Sequence, residues 1–345
     1  MGDDDLIIEP YTPADDGACL DLERRSPQGG TLRLGFRRPT FHRRAENFDE
    51  HELLVARLDG RIVGVTGVAF KDVAMHGRTL RAAFYFDLRI DPAVRRRGLA
   101  TRLAGESARR ARPRCDLGYC YAMDDNRAME AMRRLFGCWT VGGYRYLVFP
   151  TYRRRVARRP AVASTLSEVH DRLLATAPPF DWYTDPRVGG STAGHVASWH
   201  LDTPDGRAGC SAWDNRGILA EVVERLPWPL HLLGAASARG LLGGIPRPRI
   251  PCEGETLRSW YLFDVHGSTP ELVVDLVRHV AGEARDAGIE WLYLPWIAGD
   301  EPWAAALRQE VPRMFSPVLR YRLMVGRPLP APPVLARAYV DVRDL

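Results

Sequence analysis

The chain alternates between stretches with the period of a strand and stretches with the period of a helix. Leu6-Ile-Ile-Glu-Pro10 reads as a short strand, and Thr12-Pro13 opens a helix that runs through Leu20 and Leu22 to about Arg25. From Ser26 to Phe48 no period is visible. Gly29 and Gly30 there precede a cluster of Arg37, Arg38, His42, Arg43 and Arg44, which reads either as a solvated face or as a site for an acidic ligand. Glu52 to Leu58 and Ile62 to Phe70 are two strands around Asp59-Gly60, a hairpin signal. After a turn at Met75 to Arg78, the Phe- and Tyr-rich run from Leu80 to Ile90 predicts a further strand, stopped by Pro92. Simple alternation puts Tyr85, Asp87 and Arg89 on one face of it, and Phe84, Phe86, Leu88 and Ile90 on the other. From Leu99 the period turns helical, with Leu99, Leu103, Ser107, Ala108 and Ala111 on one face and Arg102, Arg109 and Arg110 outside. Leu117 to Met123 is the next strand, and a second helix follows Asp124-Asp125-Asn126 to about Leu135.

The order then repeats. Arg153 to Pro160 is a charged linker, and Thr165-Leu-Ser-Glu168 is a capping box that starts a new helix. Leu257-Arg-Ser-Trp-Tyr-Leu-Phe-Asp264 mirrors Leu80-Arg-Ala-Ala-Phe-Tyr-Phe-Asp87, and Asp205-Gly206-Arg207 echoes Asp59-Gly60-Arg61. Two copies of one order of elements indicate duplication, and 345 residues is a length for two domains. The reading divides the chain into a first domain at 1–152, a linker at 153–164, a second domain at 165–330 and a tail at 331–345. Pro246, Pro248 and Pro251 mark a loop, and Pro328 to Pro333 form a spacer before Ala338 to Val342, a closing edge strand.

Composition narrows the class. With 46% hydrophobic and 26% charged residues the chain is an ordinary globular protein with ample core. No apolar run approaches a membrane span, and Met1-Gly-Asp-Asp-Asp5 is acidic where a signal peptide would be basic, so a soluble, cytoplasmic protein without a membrane partner is expected. The six cysteines form no CxxC pair and have no histidine at metal spacing, which predicts reduced thiols and no metal site. The net charge of +5 is carried almost wholly by arginine, since Lys71 is the single lysine. Arg95 to Arg97 and Arg153 to Arg155 lack the interleaved aromatics of a single-strand binder, so nucleic acid is not expected. A cationic surface does favour anionic ligands.

One junction carries chemistry. Between the strand ending at Ile90 and the helix starting at Leu99 lies Arg95-Arg96-Arg97-Gly98, followed by Ala100 and Thr101. Backbone N–H groups at a helix N-terminus lack intrahelical partners and sit at the positive end of the helix dipole, so they attract a phosphate. Gly98 and Ala100 let an anion approach the backbone closely. A Walker loop and a three-glycine dinucleotide fingerprint are both missing. Arg95-x-x-Gly98-x-Ala100, with Ile90, Pro92 and Leu103 at matching spacing, resembles motif A of the GCN5-related N-acetyltransferases, the GNAT superfamily. The hairpin upstream falls in the same order. Asn126, Ala128, Met132 and Gly137 resemble that family's motif B.

The resemblance implies an α+β architecture of two tandem GNAT-like domains, each a mixed, mostly antiparallel twisted sheet flanked by helices. It also implies acetyl-CoA, or another acyl-CoA, as co-substrate, held by Leu88, Arg89, Ile90, Arg95, Arg96, Arg97, Gly98, Leu99, Ala100, Thr101 and Asn126. The stretch between the first two strands corresponds to the family's acceptor-binding segment. Motif B departs from the family at two places: Arg133 stands where a tyrosine often protonates the leaving thiolate, and Cys138 replaces a phenylalanine. Tyr121 occupies the place of a general-base glutamate in some relatives. The second copy lacks the anion loop, since Glu271 and Asp275 would oppose a pyrophosphate there. One active site per chain is therefore expected.

An attacking alkylamine, with a pKa of about 10, must lose a proton at neutral pH. Asp87 is the expected base with Tyr85 beside it; Tyr119, Tyr121 and Tyr144 are candidate acids, and Tyr121 is chosen. The activity expected is N-acetylation of a small-molecule amine by direct transfer, with a homodimer as the one protein assembly considered. Acetylation of a protein or peptide, or acyl-CoA sensing without chemistry, are the alternatives.

Overall fold

The computed structural model describes residues 6–26, 28–29, 32–95, 97–124, 126–153, 155–176, 180–238, 248–296, 301–326, 335 and 338–344. Met1 to Asp5, Arg96, Pro246 and the spacer Pro328 to Pro333 lie outside these. The first half builds β1 (Leu6–Pro10), α1 (Asp16–Arg24), β2 (Gln28–Gly29), β3 (Arg33–Arg37), β4 (Glu50–Leu58), β5 (Arg61–Met75), β6 (Arg78–Ile90), α2 (Leu99–Ala111), β7 (Leu117–Met123), α3 (Arg127–Leu135) and β8 (Trp139–Pro150). The second builds β9 (Val162–Ser164), α4 (Leu166–Thr176), β10 (His195–Thr203), β11 (Gly206–Trp213), α5 (Arg216–Leu219), β12 (Ala220–Arg225), α6 (Trp228–Ala238), β13 (Ser259–Gly267), α7 (Pro270–Asp286), β14 (Trp291–Trp296), α8 (Glu301–Gln309) and β15 (Val318–Val325).

Twelve strands join in one sheet in the order β1-β4-β5-β6-β7-β15-β8-β14-β13-β11-β10-β9, mostly antiparallel, with β6–β7 and β13–β14 parallel. The two copies of the repeat interlock. β15 of the second half inserts between β7 and β8 of the first, and β8 pairs on its other side with β14. A second sheet, β12-β3-β2, is also shared between the halves.

Helices α2, α7 and α8 cover one face. There Leu99 and Leu103 pack on Leu54, Ala56 and Val63, and Val277, Val280 and Leu307 pack on Leu147, Leu262 and Leu292. The opposite face carries α1 and the smaller sheet, over a core of Phe48, Phe84, Tyr119 and Leu323 that continues into Tyr144, Tyr146, Tyr261 and Tyr293. The expected closing strand at Ala338 to Val342 is absent. Tyr339 to Asp344 instead run through the interior on this face and end in a 3-10 turn at Val342–Asp344, with their polar side chains paired below. Because Val340 and Val342 are buried against the tyrosine core, the segment's apolar positions are satisfied without a strand partner.

Candidate functional site

β6 and β7 pair in parallel only from Ala82 to Phe84 against Leu117 to Tyr119. Beyond that the two strands diverge, and from Tyr85 onward the edge of β6 facing β7 has no ladder partner among the described residues. The chain leaves this cleft at Ile90, makes a 3-10 turn over Pro92–Val94 capped by the Asp91 carboxylate, which accepts from the Ala93 amide at 3.0 Å, and enters α2. Gly98 caps α2 in the left-handed region at φ 73, a conformation that glycine adopts without steric penalty. Nothing lies within 4 Å of where a Cβ would stand on Gly98, so the approach to the first turn is open. With no side-chain cap on that turn, its amides are available to an anion. Arg95 and Arg97 are exposed beside it, Arg95 leaning back to the Ile90 carbonyl at 3.4 Å. This arrangement fits a pyrophosphate. Leu99 contributes only its backbone, because its side chain is core; Ala100 and Thr101 are half-buried in the first turn, and Arg96 is outside the described residues.

The alternation expected for Leu80 to Ile90 fails at Asp87. Gly67 faces Phe86 and Val65 faces Arg89, so β6 spends one more residue than β5, a bulge, and Asp87 takes a left-handed φ of 53. One extra residue swaps the faces that follow. Leu88 and Ile90 join Tyr85 on the α2 side, whereas Asp87 and Arg89 turn to the α1 side with Phe84 and Phe86. Tyr85 is thus on the face opposite Asp87, its ring lying against Gly118.

Asp87 sits in a buried ion network. Arg38 donates to it at 2.7 Å and to the Glu23 carboxylate at 2.5 and 3.0 Å, while Arg44 donates to the other Asp87 oxygen at 2.7 Å. Burial raises the Asp87 pKa, but Arg38, Arg44 and Arg89 outweigh it and hold the carboxyl well below the usual range. A carboxylate so stabilised, with a guanidinium on each oxygen, is a poor proton acceptor; the expectation of Asp87 as general base is corrected by this network. Arg89 is likewise turned away from the anion loop, bonding the Ser26 carbonyl at 3.0 Å and Glu23 at 3.4 Å. Nor are Arg38 and Arg44 part of a solvated face; Arg38 is buried and Arg44 half-buried.

The C-terminal segment supplies residues that the local pattern did not single out. Lys71 on β5 donates to Asp341 at 2.9 Å and to Asp344 at 2.5 Å, and the Tyr119 hydroxyl donates to Asp344 at 2.8 Å. Arg44 ties this cluster to Asp87 by donating to the Asp344 carbonyl at 2.9 Å. Burial pushes Asp344 up to about 6, with Lys71 opposing, whereas Arg343 and Lys71 hold Asp341 well below the usual range against its burial. The signal in the sequence was the single lysine and an acidic C-terminus, separated by 270 and 273 positions.

Tyr121 lies on the same face, edge-on to Tyr119 at 5.8 Å and to Tyr144 at 5.0 Å, its hydroxyl raised well above its ordinary range by burial and by Asp344 and Asp341. Asn126 N-caps α3, its side-chain oxygen accepting from the Met129 amide at 3.1 Å. Arg133 is held by Glu130 at 2.8 Å and the Cys138 carbonyl at 3.0 Å.

Residues 18–138 match the acetyltransferase (GNAT) family. No curated protein matches the chain by sequence. Among solved structures it is similar to Saccharomyces cerevisiae N-myristoyltransferase with bound myristoyl-CoA, at 10% identity and a TM-score of 0.59 over 96% of this chain and 84% of that one. It is also similar to a candidate acetyltransferase from Pyrococcus horikoshii, at 12% identity and a TM-score of 0.52 over 99% of this chain and 96% of that one. At such identities the likeness is one of fold. Residues 18–138 thus match the GNAT acetyltransferase family, and the chain as a whole shares the fold of these solved structures.

Proposed function

We propose that the chain is an acyl-CoA-dependent N-acyltransferase that moves an acetyl group from acetyl-CoA to an amine of a small molecule in a ternary complex. The observation that carries the reading is the divergence of β6 and β7 after three paired residues, at whose end the uncapped N-terminus of α2 opens. A pantetheine arm laid in the cleft meets the unpaired edge of β6, and the pyrophosphate meets the amides of Gly98 to Thr101 beside Arg95 and Arg97. The amine nitrogen attacks the thioester carbon, the carbon–sulfur bond breaks, and the ammonium proton leaves. Since Asp87 is a poor acceptor, the reading gives that proton to Asp344 by way of the Tyr119 hydroxyl, and gives Tyr121 the role of returning a proton to the thiolate.

Calorimetric titration of acetyl-CoA is expected to show binding that Gly98→Glu abolishes, since the substitution adds an anion and strains a left-handed position. Unchanged binding in the variant overturns the loop assignment. Thiol release across an amine panel then separates enzyme from sensor. The sensor reading is favoured by Arg133 at the place of the family's tyrosine, and binding without turnover on any amine or peptide would establish it. Titrating longer acyl-CoA thioesters in parallel decides the acyl length.

A further inference from the structure

On the α1 face a band of tyrosines crosses from the cleft of the first half to β13 and β14 of the second. Tyr121 of β7 meets Tyr144 of β8 at 5.0 Å, Tyr144 stacks on Tyr321 of β15 at 5.0 Å and touches Tyr146 at 5.3 Å, and Tyr146 meets Tyr261 of β13 at 5.8 Å and Tyr293 of β14 at 6.2 Å. Tyr261 and Tyr293 stack at 4.6 Å. The strand β12 of the overlying sheet carries Glu221 into this layer. Its Oε2 is buried without a hydrogen-bond partner, and no cationic side chain pairs with it among the described residues. Burial raises its pKa, and hydrogen bonds from Tyr261 and Tyr293 oppose that rise.

A buried carboxylate with an orphaned oxygen is unfavourable unless something compensates it. Among the described residues no other buried carboxylate oxygen lacks a partner: Asp87 has Arg38 and Arg44, Asp341 has Lys71 and Arg343, and Asp264 has the Tyr339 hydroxyl and His170. Aromatic faces and a carboxylate together form the chemistry that binds an ammonium group, through cation–π contact and a charge-assisted hydrogen bond.

We infer that Glu221 and the tyrosines around it bind a second ammonium group of the acceptor, so that the acceptor is an elongated di- or polyamine. This rests on the acyltransferase reading above. With strands about 4.8 Å apart, β14 and β13 lie three and four strands from β7, roughly 14 and 19 Å from the cleft where acylation occurs. The amine that reacts is neutral in the cleft, and the distal amine remains charged at Glu221. A monoamine reaches only the first of these.

The test is steady-state kinetics with acetyl-CoA on linear di- and polyamines of graded length against matched monoamines, in the wild type and in Glu221→Gln, which keeps shape and removes the charge. The longer polyamines are expected to show a KM at least about tenfold below that of monoamines. Glu221→Gln should raise the polyamine KM by about the same factor, leave kcat within about twofold, and leave monoamine kinetics unchanged. Equal effects on both classes, or none, overturn the inference and leave the acyltransferase reading standing. If no amine is turned over, the acyltransferase reading falls instead. Calorimetric titration of the same polyamines then decides the site alone: binding lost in Glu221→Gln sustains it, and binding absent or unchanged overturns it. Thermal melting of Glu221→Gln no lower than wild type excludes loss of fold as the cause.

Discussion

The two halves of the chain share one device and put it to different uses. In β6, Asp87 has φ 53 where the strand spends an extra residue; in β13, Asp264 has φ 53 at the same place in the repeat, with Ser211 facing Phe263 and Gly209 facing His266. Both aspartates are buried. Asp87 is gripped by two guanidiniums, whereas Asp264 accepts from the Tyr339 hydroxyl at 2.7 Å and faces His170 Nδ1 at 2.8 Å. The helices that follow differ more. Gly98 leaves the first turn of α2 open, but Thr269 caps α7 by accepting from the Leu272 amide at 3.4 Å, with Pro270 and Glu271 filling the first turn. The bulge is a property of the duplicated sheet, while the anion site depends on the few residues after it.

Disrupting each bulge aspartate should separate these roles. Asp87→Asn is expected to destabilise by about 3–5 kcal/mol, because Arg38 and Arg44 lose their buried counter-charge. Asp264→Asn should lose about 1–3 kcal/mol, the scale of hydrogen bonds to a charged group. Urea unfolding of the two variants checks this, and equal losses would show that the ion network adds nothing to the shared bulge.

A smaller effect is expected with pH. Asp344 has its folded pKa raised to about 6 from an ordinary 3.8, so the stability it contributes is present at low pH and is lost as pH rises through about 6. Asp87 and Asp341 are lowered, so their contribution is present above about 4 and lost on acidification. Melting temperature should therefore peak near pH 4, and Asp344→Asn should flatten the decline between about pH 4 and 6. An identical slope in both proteins from about pH 4 to 6 would remove Asp344 from the account. If Asp344 also takes the acceptor's proton, wild-type kcat/KM rises through the same pH.

Smallest is Asn126→Ala, expected to lose about 1 kcal/mol as a missing N-cap. A tenfold or larger loss of acetyl-CoA affinity in addition would show that its amide group also touches the pantetheine arm.

The motif at Arg95 to Ala100 was legible because its parts are contiguous: a strand that ends, a glycine, and a helical apolar stripe at Leu99, Leu103, Ser107 and Ala111, all of which α2 buries. The hairpin at Asp59-Gly60 was legible for the same reason, and both residues have positive φ. The orientation of Asp87 was not. Phe86-Asp87-Leu88 satisfies simple alternation with or without an extra residue, and the hydrogen-bond register that distinguishes them belongs to β5 as much as to β6. Arg38 and Arg44 gave no signal because a charged cluster looks the same whether it meets water or buried carboxylates.

By itself, the sequence determined what local chemistry can determine: the order of strands and helices, the duplication, the open helix N-terminus and its absence in the second copy. Only the tertiary structure decided the exchange of β8 and β15 between the halves, the burial of the C-terminal segment beside Lys71, and the tyrosine layer beneath Glu221. Each of these joins residues far apart along the chain. The free energy of such contacts comes from partners that periodicity does not record, and one residue of register redirects every side chain after it.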